Sequence, residues 1–451
     1  MQPEPITSSV AIVGAGFSGT LLAIHLLRHG CASVTLVERR GAFARGIAYS
    51  TRAPEHRLNV RASGMSAFPD ELDHFANWWG EQGEGAGFAG RTCYGDYLVA
   101  LLEEAEREWP DRLRRCPGEG VQAEAKAEGF RLTLAGGERI DADALVLALG
   151  NLPPQDPPGL SGCRRDPDRY VADPWAQDFT AGLDQGDEVA VIGTGLTMVD
   201  VVTHLATSGF GGRITALSRR GLVPRAHVAS AAQPAGSSDD VIPSSLSALL
   251  HHVRQRANAI GWRDAVDQLR PLTQALWEDA PVEVRRRFLR HLRPWWDVHR
   301  HRLAPTVAAQ LELLIGAGRL QVEAGRIVGC QAGADGLDLT WQPRGMQAPR
   351  QRRFRRIINC TGPQGDLSRT DEPLLRSLLD DGLVRTDALR LGLDVTRDGE
   401  ALDREGRPNP RLFAVGPLSR GTFWEIIAVP DIRVQVRAVA DRIARAIGAD
   451  T

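Results

Sequence analysis

No two of the six cysteines, Cys31, Cys93, Cys116, Cys163, Cys330 and Cys360, form a CxxC pair. That spacing excludes the close thiol pairs of a zinc site and of a thioredoxin-reductase-type disulfide relay. It gives no reason to expect a disulfide framework, which suits a reducing, cytoplasmic setting. No apolar run approaches the ~18 residues of a membrane-spanning helix, so no membrane partner is expected. The opening Met1-Gln2-Pro3-Glu4-Pro5 has no basic stretch before an apolar core, and no signal peptide is expected. A dominant charge is missing too. The formal net charge is -2, which gives no global field for nucleic acid. The 11 histidines form no HExxH or comparable ligand pattern, so no metal is expected.

What is present is an ordinary globular composition, 43% hydrophobic and 24% charged, over 451 residues. That length holds two or three domains. Residues 9–13 form a short apolar run that enters Gly14-Ala15-Gly16-Phe17-Ser18-Gly19. Residues 20–29 then repeat apolar side chains at helical spacing, Gly30 is a helix stop, and 33–37 read as the next strand. This is a βαβ unit with parallel strands. In GxGxxG the first glycine permits the tight turn, the second lets backbone approach a pyrophosphate, and the third allows close helix–strand packing. The helix N-terminus offers free N–H groups and a positive dipole end to phosphate. Glu38, about 24 positions after Gly14, ends the second strand, where an acid accepts from ribose hydroxyls. Strand, helix and acid together point to a dinucleotide, FAD.

The unit recurs. Residues 188–192 read as a strand, Gly193-Thr194-Gly195-Leu196-Thr197-Met198 as a turn, 198–208 as a helix and 213–217 as a strand. Met198 replaces the third glycine and should push the helix slightly off the strand. Ser218-Arg219-Arg220 stands where an acid would select NAD, and arginine suits the 2′-phosphate of NADP. Two dinucleotide folds in one chain have a physical logic: one cofactor stays and carries electrons, the other delivers hydride and leaves.

Two apolar strands close on glycine, at Leu149-Gly150 and at Cys360-Thr361-Gly362. A late strand and turn, Phe413-Ala414-Val415-Gly416-Pro417, precede a final amphipathic helix over 430–447, whose first turn holds Ile432. Residues 121–134 alternate weakly and read as two short antiparallel strands, 144–149 as a strand buried on both faces, and 155–168 as a linker. Residues 233–240 read as a polar loop, 243–316 as mostly helical, 320–341 as short strands, and 347–356 as a basic run. Asn59, Arg61, Arg91 and Tyr94 belong to no local motif. The tract from Arg285 through Trp296 to Arg300 is basic and aromatic. It reads as a solvated helix face over a tryptophan core, as a nucleic-acid contact, or as an insert that covers a site and supplies substrate contacts.

The chain resembles bacterial FAD/NAD(P)-binding proteins, with the nitrosuccinate-forming L-aspartate N-monooxygenases among their relatives. The resemblance rests on the two glycine turns, Gly46-Ile47-Ala48-Tyr49-Ser50, Leu58-Asn59-Val60, Tyr94-Gly95-Asp96-Tyr97-Leu98, Ser218-Arg219-Arg220-Gly221, Trp296-Asp297-Val298-His299-Arg300, Asn359-Cys360-Thr361-Gly362-Pro363, Phe423-Trp424-Glu425 and Pro430-Asp431-Ile432-Arg433. It implies that Gly46, Tyr49, Asn59 and Val60 lie near the flavin and that Met198 is a family feature. The FxGxxxH fingerprint of broader flavin monooxygenases falls on 160–175, where its histidine is absent, which argues against Baeyer–Villiger chemistry.

The expectation is an α/β protein with two Rossmann-like dinucleotide-binding domains, for FAD and NADP, and a helical insertion. Residues 1–175 and 346–451 would form the FAD domain and 185–345 the NADP domain, with the insert at about 241–317. FAD would be held by Gly14, Gly16, Phe17, Ser18, Gly19, Glu38, Arg39, Gly46, Tyr49, Asn59, Val60, Val121, Gly150, Gly416 and Ile432. NADPH would be held by Gly193, Gly195, Leu196, Thr197, Ser218, Arg219 and Arg220, with Thr361 and Gly362 at the strand end between the two. The expected chemistry is a monooxygenase that forms a C4a-(hydro)peroxyflavin and oxygenates a small substrate, an amino acid or amine, with molecular oxygen. A reductase with another electron acceptor and a non-catalytic flavin-binding protein stay open beside it. No catalytic residue is assigned.

Overall fold

A computed structural model describes residues 8–81, 87–228, 243, 245–363 and 365–448. The polar loop expected at 233–240 and the extreme N-terminus lie outside the described residues.

The first sheet has six strands in the order Glu400–Leu402, Pro408–Ala414, Ala144–Leu147, Ser9–Val13, Ser33–Glu38 and Leu113–Pro117. All neighbours are parallel except the first pair. Its central strands are buried on both faces, which is why they read as unbroken apolar runs. The helix Phe17–His29 covers one face together with the last helix, Val429–Gly448. Gly30 ends the first of these in the left-handed conformation, its N–H donating to Leu27 O.

The second sheet has seven strands in the order Arg350–Phe354, Leu337–Pro343, Leu320–Ala332, Arg213–Ser218, Glu188–Ile192, Arg356–Asn359 and Tyr170–Val171. Its centre repeats the first unit closely. Gly14 has φ 103° and Gly193 φ 113°. A Cβ on Gly14 would stand 2.3 Å from Ala148 O, and one on Gly193 2.2 Å from Cys360 O. Each turn is thus pressed against the strand that closes on the next glycine, Gly150 or Gly362. Only glycine tolerates both that φ and that approach. Met198 is fully buried in the core beneath the helix Leu196–Thr207.

Several expectations need correction. The two antiparallel strands expected at 121–134 are there, as Gly120–Ala125 and Phe130–Leu134, and Arg139–Ala142, beyond that segment, adds a third. The strand expected at 144–149 ends at Leu147. The short strands at 320–341 include one of 13 residues, Leu320–Ala332, whose pairing shifts between Ile327 and Gly329. The basic run carries its own strand, Arg350–Phe354, in which Arg353 offsets its charge on Asp338 at 2.8 Å. The linker at 155–168 is not a free tether. Leu160 and Cys163 are fully buried in the second sheet's core, and Cys163 forms a disulfide with Cys330. The absence of close cysteine spacing hid this pair because 167 positions separate its members, with Cα atoms 5.6 Å apart.

The helical insert comprises Leu246–Ile260, Trp262–Leu269, Thr273–Asp279, Val282–His291, Arg293–Arg300 and Pro305–Gly316. It docks on the segment before the last helix. Trp277 stacks on Trp424 with ring centroids 4.7 Å apart and donates to Gly421 O, while Trp296 donates to Glu425 Oε1 at 2.9 Å. Trp277 and Trp296 of the insert and the Phe423-Trp424-Glu425 motif are two halves of one contact. No helix among the described residues is long and apolar enough to cross a membrane.

Candidate cofactor and substrate cleft

A cleft of about 560 Å³ is lined by both glycine turns and by the helical insert. Gly14, Gly16, Phe17, Ser18, Glu38 and Arg39 line it from the first unit. Gly16 caps the helix Phe17–His29 with extended backbone and no side-chain bond, and the first turn carries no acid. Its leading N–H groups and positive dipole end are therefore unopposed by any capping side chain. Glu38 is 8% exposed and holds the turn's shape: Oε2 accepts from the Ala15 N–H and Oε1 from the Arg40 N–H, each at 3.0 Å. Each oxygen keeps a lone pair for a further donor. Arg39 is ion-paired with Glu372 at 2.8 Å.

Gly46, Tyr49, Asn59, Val60, Gly150 and Ile432 also line the cleft. Tyr49 meets Tyr94 edge-on, ring centroids 4.7 Å apart, and burial pushes its phenol up. Ile432 arrives with Ala428 and Val429 at the start of the last helix. Three residues expected here stand behind the lining instead. Gly19 lies under the turn, where a Cβ would meet Gly14 O at 1.9 Å. Gly416 packs behind Ser18 and donates its N–H to Gln435 Oε1. Val121 is displaced by its neighbours Gly118, Glu119 and Gly120, which reach the cleft.

From the second unit, Gly195, Leu196, Thr197 and Gly362 line the cleft. Gly193 sits behind them against Cys360 O, and Thr361 donates its hydroxyl to Asn359 Oδ1 at 2.7 Å. Ser218 Oγ accepts from the Gly221 N–H and so shapes the loop. Arg219 is exposed and Arg220 reaches Arg290 O at 3.4 Å; neither touches the cleft.

The insert contributes residues for which the sequence left three readings open, one of them that the insert supplies contacts to a site. Arg293, Asp297, Arg300 and His301 line the cleft, facing Arg420. Burial lowers His301 to about 3 and Arg420 to about 10, and raises the Asp297 carboxyl. Their signal was the charge pattern of Trp296-Asp297-Val298-His299-Arg300, which left a solvated helix face and a site-covering insert both open. Arg91 also lines the cleft and pairs with Asp200 of the second unit's helix at 2.9 Å. Beside that pair, His56 meets Asp200 O at 3.2 Å and Thr51 Oγ1 at 2.8 Å, and His204 meets Glu55 at 2.5 Å. Glu55, His56 and His204 have ligand atoms close enough to share a cation, but both His56 nitrogens already have partners.

The residues present fit FAD. An uncapped helix start, an acid at the second strand's end and bare glycine backbone meet in one cleft. Cβ atoms added at Gly150, Gly195 and Gly362 would find nothing within 4 Å, so the backbone there is open to a ligand.

Comparisons with known proteins agree on this architecture. Residues 11–152 match a family model described as FAD-NAD(P)-binding. A Baeyer-Villiger monooxygenase from Streptomyces coelicolor is 27% identical over 218 residues, which cover 45% of this chain and 34% of that protein. The match thus spans about a third of that relative's length. Among solved structures, ornithine hydroxylase from Pseudomonas aeruginosa superposes with a TM-score of 0.66 at 15% identity, covering 97% of this chain and 99% of that one. The ornithine N-hydroxylase of Kutzneria sp. 744 gives 0.65 at 15% identity, with the same coverage. The fold is that of two-dinucleotide flavoproteins.

Proposed function

We propose that this chain is an FAD-dependent monooxygenase that uses NADPH and oxygenates a small substrate. The observation that carries the reading is that one cleft joins both glycine turns to a pocket of charged side chains from the insert. Bound FAD would supply a two-electron carrier able to take hydride from a reduced nicotinamide and react with molecular oxygen. Gly14, Gly16, Ser18 and Glu38 would hold its pyrophosphate and ribose, and Gly46, Tyr49, Val60 and Ile432 would border its ring system. Gly195, Leu196 and Thr197 would receive the nicotinamide dinucleotide at the start of the second helix, with Arg219 and Arg220 selecting its 2′-phosphate from outside the cleft. The insert's Arg293, Asp297, Arg300 and His301 border the cleft and would help to keep water from the reacting region, as an oxygenating site requires. Relatives named as monooxygenases and neighbours named as ornithine hydroxylases support the reading. The finer form of the proposal is oxygenation at an amine nitrogen, as the resemblance to L-aspartate N-monooxygenases implies. Residues 1–175 and 346–451 would serve FAD, and 185–345 NADP.

The test is oxygen uptake by FAD-loaded protein with NADPH across a panel of small amines and amino acids. Uptake that rises with one substrate and yields its oxygenated product supports the proposal. Substrate-independent peroxide release, or fast reduction of a quinone without oxygenation, would overturn it.

A further inference from the structure

The charged pocket does not balance. Four arginines and three carboxylates meet where the insert faces the segment before the last helix. Arg293 Nε lies 3.3 Å from Asp297, Arg300 Nε 3.0 Å from Glu425, and Arg270 Nη2 3.4 Å from Asp431. Each carboxylate thus has its own arginine. Arg420 is left over: among the described residues its guanidinium makes no hydrogen bond and no ion pair. Its near neighbour is the face of Trp424, 4.7 Å from the ring centroid, and Trp424 is itself fixed by stacking on Trp277. Asp297 and Glu425 act on it only from longer range. His301 stays neutral and adds no charge.

A guanidinium has five N–H donors in a planar fork suited to a carboxylate. Arg420 is half-buried, and a guanidinium with an enclosed, unbonded Nε is held at a cost that an anion at its open edge would offset. The Nε of Arg420 is occluded and unbonded, so the part of the fork left for a ligand is its outer edge. Arg420 lines the same cleft as the first glycine turn. We propose that Arg420 is the specificity-determining residue of the cleft, binding one carboxylate of the substrate while Trp424 holds its guanidinium plane in place. Arg433, beside the same cluster, also lacks a carboxylate, but its Nη1 donates to Ser66 O and it does not line the cleft, so Arg420 is the cation of this group that a carboxylate in the cleft could meet. This inference rests on the reading of the cleft as a substrate site, but not on turnover.

The same edge could instead meet a cofactor phosphate, and the experiment separates the two sources. Thermal denaturation and ligand titration are followed on FAD-loaded protein. The carboxylate probes are glycine, succinate, L-aspartate and L-ornithine; the carboxylate-free probes are cadaverine and succinamide. The phosphate probes are inorganic phosphate and 2′,5′-ADP. At least one carboxylate should bind ten or more times tighter than any carboxylate-free probe and should raise the melting temperature. Arg420→Met should abolish that effect without lowering the melting temperature of the ligand-free protein, because it removes an unpaired charge. Arg420→Lys should retain part of the carboxylate binding. A purely structural arginine would give the opposite sign: Arg420→Met would melt earlier and carboxylate affinity would be unchanged in Arg420→Lys. That result overturns the proposal. So does an Arg420→Lys variant that weakens FAD or 2′,5′-ADP binding and leaves carboxylates untouched. Carboxylate binding without oxygen uptake would sink the monooxygenase reading alone. Oxygenation of cadaverine as readily as of any amino acid would sink this inference alone.

Discussion

Gly16 and Gly46 meet backbone to backbone: a Cβ on Gly46 would stand 3.0 Å from the Gly16 Cα. Gly46 has φ 55°, the left-handed region. The loop that follows the second strand is thereby laid directly on the first glycine turn, and both line the cleft. Alanine at 46 would strain the backbone by about 1–2 kcal/mol and push against Gly16. Gly46→Ala is expected to weaken FAD binding about tenfold, measured by titrating apo-protein with FAD. Gly182→Ala is the control. It shares a positive φ, 68°, but its Cβ would meet nothing within 4 Å and it lies outside the cleft, so FAD affinity should be unchanged.

The pairing of Arg91 with Asp200 joins the two units at the cleft. The side chains are 17% and 11% exposed, so water screens the pair weakly. Removing one partner leaves a nearly buried charge, at a cost of about 3 kcal/mol. Asp200→Ala should destabilise the chain by that order in urea unfolding. The Arg91→Ala, Asp200→Ala double variant should be more stable than the sum of the singles predicts. Strict additivity in that cycle would mean that the pair contributes nothing.

Burial lowers His25 from 6.5 to about 4, and its Nε2 is enclosed without a hydrogen-bond partner. Between those values the unfolded chain binds more protons than the folded one. The contribution of His25 is therefore complete above pH 6.5 and is lost as pH falls toward 4. Its full extent is about 3 kcal/mol. Urea midpoints should fall through this window, and His25→Leu should flatten part of the acid limb. His301, lowered to about 3, supplies a second part that this variant leaves in place.

The fold was legible where chemistry is local. Gly14, Gly16, Gly19 and Glu38 lie within one βαβ unit, and their spacing alone defines the turn. The same holds for Gly193 and Gly195. What lay beyond reading were contacts between distant segments. Trp296 and Glu425 are 129 positions apart, and Cys163 and Cys330 167. A helix face rich in arginine looks solvated until Phe288 meets Trp424 and Trp296 bonds Glu425. Arg219 and Arg220 show the converse limit: their position at a strand end is legible, whereas their distance from the cleft is set by the whole second unit.

The disulfide turns that limit into a measurement. Cys163 is completely buried and Cys330 5% exposed, so the bond joins the crossing segment at 155–168 to the long strand Leu320–Ala332 from inside the core. Closing a loop of 167 positions restricts the unfolded chain far more than it restricts the folded one. The usual stabilisation is about 2–5 kcal/mol. Mass spectrometry without reductant should find a Cys163–Cys330 crosslinked peptide. The Cys163→Ser, Cys330→Ser double variant should unfold at lower urea concentration than the oxidised protein. Reductant should lower the wild type toward the variant and leave the variant unmoved, since Cys163–Cys330 is the one disulfide among the described residues. The glycine turns do not depend on the bond, so FAD affinity at moderate temperature should persist in the variant. A variant that lost FAD together with its stability would show instead that the crossing segment positions the cleft.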